Sequence, residues 1–135
     1  MPNAAELAHA QHDEGVALFI HQAKKSDQWT IIVCFYSALH YIRAKIFPLT
    51  EIAGGVTTTY NSANDYYSKL GPNKGSLHDT LVTLAWRELP TIAAKYQLMY
   101  NSSTTARYNN YAHDPRASAQ AISNLAAIKK ECTKP

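Results

Sequence analysis

The sequence predicts an all-α protein, a four- to five-helix up-and-down bundle forming one domain over residues 1–135. Three observations predict it: apolar residues recur at three- and four-residue spacing, helix-start signals stand just before them, and no run alternates apolar and polar residues beside a hairpin turn. A chain of 135 residues has room for one core and not for a second. With 46% hydrophobic and 17% charged residues it has the balance of a globular protein, not of a disordered one.

Asn3 followed by Glu6 reads as a capping box, and Leu7, Ala10 and Leu18 carry a first helix to about Lys25, weakened at Gly15 by roughly 1 kcal/mol relative to Ala. Ser26 or Asp27 caps a second helix, from about Gln28 to Phe47, that Pro48 stops. Trp29, Ile32, Val33, Tyr36 and Leu39 lie on one of its sides and Ile31, Phe35, Ala38 and Ile42 on another, so this helix is expected to be sandwiched between neighbours. From Leu49 to Gly75 the periodicity fails, and the stretches AGGVTTTYNSAN and LGPNKG read as loop, with a helical turn at NDYYSKL between them. Ser76 with Asp79 repeats the capping box, and Leu77, Leu81, Leu84 and Ala85 define a helix ending near Pro90. Ile92, Tyr96 and Met99 continue as another helix to about Asn101. Asp114 with Pro115 is an N-cap followed by proline at the first helical position, and Ala121, Leu125, Ile128 and Cys132 form the buried stripe of a final helix.

The formal charge of +3 permits an anionic partner but is far from that of a histone-like binder. Two cysteines, Cys34 and Cys132, are too few for a disulfide scaffold and fit a reduced, cytoplasmic protein. No basic segment followed by an apolar one marks a signal peptide. The most apolar run, WTIIVCFYSAL (29–39), is too short to span a bilayer and is followed by His40, Arg43 and Lys45, so it reads as a core helix and not a membrane anchor.

The densest chemistry lies in RYNNYAHDPR (107–116), with two Arg, a His, an Asp, two Tyr and two Asn. His113 precedes the cap of the final helix and Arg116 falls in its first turn, beside free N–H groups and the positive end of the dipole. Backbone donors there stabilise a phosphate oxygen, Arg107 and Arg116 add planar charge-assisted bonds, and His113 titrates near neutral pH. The other reading is a solvated loop with an ordinary cap. An Arg and a His a few residues apart are common by chance, so the weight rests on their placement before the helix.

Elsewhere, Tyr36 and His40 stand one turn apart and read as a satisfied core pair. His78, in the first turn of its helix, is expected to be neutral and able to line the same cleft as Arg107. His9, His12 and Asp13 have helical spacing that a metal can use, but a closed zinc site needs about four ligands, so they read as surface residues. AGGVT (53–57) lacks the Lys and the strand–helix context of a phosphate loop. Tyr96, Tyr100, Tyr108 and Tyr111 cluster near the candidate site, where some can stack on bases and the rest serve packing.

With WTIIVCFYSALHYIRAKIF (29–47), the His of SLHDTL (76–81) and YNSSTTARY (100–108) before a final helix, the chain resembles the HEPN superfamily over about residues 5–130. Those are small helical bundles, many of them ribonucleases, known for an Arg followed after four to six residues by a His near the last helix. Arg107 and His113 match that motif, with Tyr108 where Asn, His or Asp usually follows the Arg. The resemblance implies a homodimer that cleaves RNA without metal or other cofactor, as a toxin or antiphage protein, with a nucleotidyltransferase-like antitoxin as a partner and no membrane. Arg107 and His113 are then catalytic, and Asn109, Asn110, Tyr111 and Arg116 bind substrate. Members without a working pair imply the alternative, a non-catalytic module that binds a nucleotide, RNA or a protein.

Overall fold

The computed structural model describes residues 3–72, 74–108 and 115–135. Within them the chain is mostly helical: α1 (Ala4–Gln22), α2 (Asp27–Ile46), α3 (Ala63–Ser68), α4 (Leu77–Glu88), α5 (Pro90–Tyr108) and α6 (Pro115–Cys132), with a two-stranded sheet of β1 (Leu49–Ala53) and β2 (Val56–Tyr60) between α2 and α3.

The helix boundaries follow from their caps. Asn3 Oδ1 accepts from the backbone N–H groups of Ala5 and Glu6. The reciprocal half of the expected capping box is not made. Asn3 N–H donates to the Ala44 carbonyl, and the Glu6 carboxylate turns to His40 instead, because tertiary partners outcompete the local one. At its other end α1 stops at Gln22, a few residues before the expected Lys25. Lys24 takes a left-handed φ of 53°, its N–H donates to His21 O and that of Lys25 to Ile20 O. This is a Schellman closure with lysine where glycine is usual. Ser26 caps α2 through its Oγ, and Asp27 in the first turn accepts from Ser118 Oγ of α6 at 2.7 Å. The capping box of α4 is complete, Ser76 Oγ accepting from Asp79 N–H and Asp79 Oδ2 from Ser76 N–H.

Helix α2 is the centre of the molecule, packed against α1, α5 and α6. Phe35, Ala38, Tyr41 and Ile42 are fully buried, as the apolar surface on several sides requires, although Trp29 at its start stays half exposed. Several buried polar groups along it are paired. Ser37 Oγ donates to Ala10 O, and Glu14 of α1 accepts from both Tyr41 Oη and Lys129 Nζ, which joins α1, α2 and α6. The stripe Ala121, Leu125, Ile128 and Cys132 of α6 is buried as its spacing predicts. Cys34 and Cys132 are free and buried, and burial pushes both thiols up to about 12.

Two expectations are corrected. Residues 49–60 are an antiparallel hairpin, not a loop, pairing Leu49 with Tyr60 and Ala53 with Val56. Its two-residue turn is Gly54–Gly55, with φ of 58° and 78°, which only glycine adopts without strain and which matches the right-handed twist of paired strands. Helix α5 does not end near Asn101 but runs on to Tyr108. Poor helix formers at 102–105 are carried by tertiary contacts: Ser103 and Ala106 are buried, and Gln28 Nε2 donates to Ala106 O at 2.8 Å.

Candidate functional site

Because α5 extends to Tyr108, Arg107 stands on the last turn of a helix and not in a connecting loop. Its guanidinium points back at α2. Nη1 donates to Tyr36 Oη at 2.9 Å and Nε makes a long contact of 3.4 Å to Ser103 O one turn earlier. The guanidinium carbon lies 5.3 Å from the ring centre of Tyr108, 5.7 Å from Tyr36 and 6.0 Å from Phe35, within the range of cation–π attraction.

The first turn of α4 brings His78 to the same place. Its ring centre is 5.6 Å from Phe35, 6.5 Å from Tyr36 and 5.5 Å from Tyr100. Burial, and then the positive charges of Arg107 and Arg43, lower its pKa below 6.5, outweighing the opposite pull of Asp79. His78 is therefore a neutral imidazole at neutral pH, as its place near a helix N-terminus suggests, and it shares a site with Arg107.

Four buried polar atoms around this site have no hydrogen-bond partner among the described residues: Arg43 Nε, His78 Nδ1, Tyr96 Oη and Ser103 Oγ. Burial also raises the pKa of the Tyr96 hydroxyl, so it is a neutral donor there. Buried polar atoms left without partners are few in folded proteins, and these lie on α5 and on the two helices packed against it, α2 and α4.

Tyr36 and His40 share a face of α2 but do not bond to each other. Tyr36 serves Arg107, whereas His40 Nδ1 donates to Glu6 Oε2 at 2.6 Å. Arg43, one turn on, places Nη1 4.0 Å from Glu6 Oε1. Tyr36, His40 and Arg43 thus form a polar stripe at spacings of four and three along an otherwise apolar helix. That periodic signal was available in the sequence; their partners on α1, α4 and α5 were not.

Of the residues expected to act, Arg107 lies at this site and Arg116 is exposed in the first turn of α6. Asn109, Asn110, Tyr111 and His113, together with the cap Asp114, lie outside the described residues. Among the tyrosines, Tyr96 is core, Tyr100 is half-buried against His78, and Tyr108 is exposed beside Arg107. A cavity of about 430 Å³ opens where the end of α1 and the start of α2 meet Pro115, but neither Arg107 nor His78 lines it.

These features define a class by structure alone: a mostly helical protein with an arginine- and histidine-bearing, aromatic-walled site between α2, α4 and α5. No described helix is long and apolar enough to cross a membrane. The chain matches no family model, no curated protein and no solved structure.

Proposed function

We propose that the protein is a HEPN-like endoribonuclease that cuts RNA without a metal, with Arg107 and His113 as its working pair. The observation that carries this reading is the setting of Arg107: a guanidinium anchored by Tyr36 Oη, walled by aromatic rings, beside an imidazole kept neutral. An arginine held in this way is preorganised for charge that develops on a phosphate, which is where electrostatic catalysis gains most. In this mechanism His113 takes the proton of the RNA 2′-hydroxyl, whose oxygen attacks the adjacent phosphorus. Arg107 stabilises the phosphorane, the 5′-oxygen leaves with a proton, and a 2′,3′-cyclic phosphate remains. Asn109, Asn110, Tyr111 and Arg116 hold the strand. The leaving-group proton comes from His113 of a second copy, so the active form is a two-fold dimer whose pairs face each other. A nucleotidyltransferase-like antitoxin is the matching partner.

Cleavage of RNA by the purified protein in a strong chelator is the test. Arg107→Ala is expected to lower it on the order of 10²–10³-fold, and His113→Ala to abolish it, with the helical circular dichroism unchanged. RNA with 2′-hydrogens should resist, and mixed dimers carrying one His113→Ala chain should keep well under half the activity. Unchanged cleavage by the folded double variant overturns the assignment.

One observation favours a second reading, a module that binds RNA or a nucleotide without cutting it. Arg107 already donates to Tyr36 and approaches Ser103 O, as a structural arginine does. That reading predicts RNA binding that Arg107→Ala weakens, with no cleavage in any variant.

A further inference from the structure

We infer that His9, Asp13 and His40 form a binding site for a divalent transition-metal ion, with Zn²⁺ as its probe. The site joins α1 to α2 and is separate from the Arg107 site. One ligand atom from each of the three residues lies within 4.8 Å of the others. His9 and Asp13 sit one turn apart on α1, with His9 Nε2 and Asp13 Oδ2 at 3.6 Å. His40 comes from α2, its ring stacked on that of His9 with centres 3.7 Å apart and planes within 15°. A tetrahedral zinc ion with bonds of about 2.0–2.1 Å sets its ligand atoms about 3.3 Å apart. The ligand atoms are near that spacing, but the two rings lie in nearly parallel planes, so their in-plane lone pairs do not converge until the exposed His9 rotates out of the stack to meet the ion.

A second observation points to a ligand. Glu6 Oε2 accepts from His40 Nδ1 at 2.6 Å. A carboxylate accepting from Nδ1 fixes the tautomer and leaves the lone pair on Nε2, which is the arrangement found behind metal-bound histidines. Two imidazoles and one carboxylate suit zinc and its first-row neighbours, whereas magnesium prefers oxygen throughout. With three protein ligands the fourth position stays open to water or to a group brought by a partner. His12, although 3.2 Å from Asp13 Oδ1, is outside the cluster and supplies the control.

Calorimetric titration of Zn²⁺ into the metal-free, tag-free full chain tests the inference. One saturable micromolar site per chain is expected, with a higher Tm because the ion ties two helices together. His9→Ala and Asp13→Asn should each weaken it at least about tenfold, and Glu6→Gln about 10–100-fold through His40. His12→Ala should leave it unchanged. His9 is exposed, so its variant keeps the fold, which circular dichroism checks. No saturable binding, binding that survives His9→Ala and Asp13→Asn, or a preference for Mg²⁺ overturns the site. None of these outcomes bears on RNA cleavage, which is measured in chelator.

Discussion

Around His40 the neighbours are carboxylates: Glu6 accepts from it, and the ring stacked on it, His9, faces Asp13. Around His78 they are aromatic rings, with Arg107 and Arg43 acting on it as cations. Both clusters border one face of α2, reached through His40 and through Tyr36 four residues earlier, about 6 Å along the axis. The difference lies in what covers that face. Helix α1 brings Glu6 and Asp13 to one end, which gives it the negative charge that the inferred metal site needs. Helices α4 and α5 bring an arginine and hydrophobic rings to the other, where buried polar atoms stand without partners among the described residues, the setting on which the proposed phosphate chemistry rests. Arg43 lies between, 4.0 Å from Glu6 on one side and acting on His78 on the other.

The largest effect that tests this contrast is removal of the aromatic wall. Phe35 is fully buried and touches His78, Tyr96, Tyr100 and Arg107. Phe35→Ala is expected to cost about 3–5 kcal/mol in urea unfolding. A midpoint close to the parent's would mean that the wall does not hold the basic cluster together.

A smaller effect comes from the acidic end. A double-mutant cycle of Glu6→Gln and His40→Ala should return a coupling of about 1 kcal/mol, since this pair is short and half-buried. A coupling indistinguishable from zero would place the pair with ordinary surface contacts and remove half of the contrast.

The smallest is a pH effect at His78. Its folded-state pKa lies below 6.5, so on acidification the unfolded chain takes up this proton before the folded chain does. The contribution to stability is whole above pH 6.5 and is lost as pH falls from there towards the folded-state value. The Tm should therefore drop between about pH 7.5 and about pH 5.5, and His78→Phe should flatten the drop. An unchanged slope in that variant assigns the proton to another histidine.

What the sequence revealed was local. Ser26, the Ser76–Asp79 box and Pro115 mark helix starts through bonds or dihedrals within a few residues, and each stands where its chemistry puts it. The Gly54–Gly55 turn was also a local signal, hidden because Thr57, Thr58 and Thr59 blur the alternation of its strand. The end of α5 was not local. Residues 102–105 favour a loop by propensity, and only the packing of Ser103 and Ala106 against the core overrides them. The same holds for the candidate site. Arg107 and the pairing of His9 with Asp13 were visible in spacing, whereas Tyr36, His78 and His40 join them through helix packing that no short window encodes.

The two thiols give the molecule its own clocks. Cys34 on α2 and Cys132 on α6 are protonated at neutral pH and sealed from solvent, so a thiol reagent reaches them only when those helices part. Their native-state labelling rates time the opening of the α2–α6 contact from both sides, with no engineered reporter. Equal rates would mark one cooperative unit, and a faster Cys132 would mark α6 as a helix that leaves first.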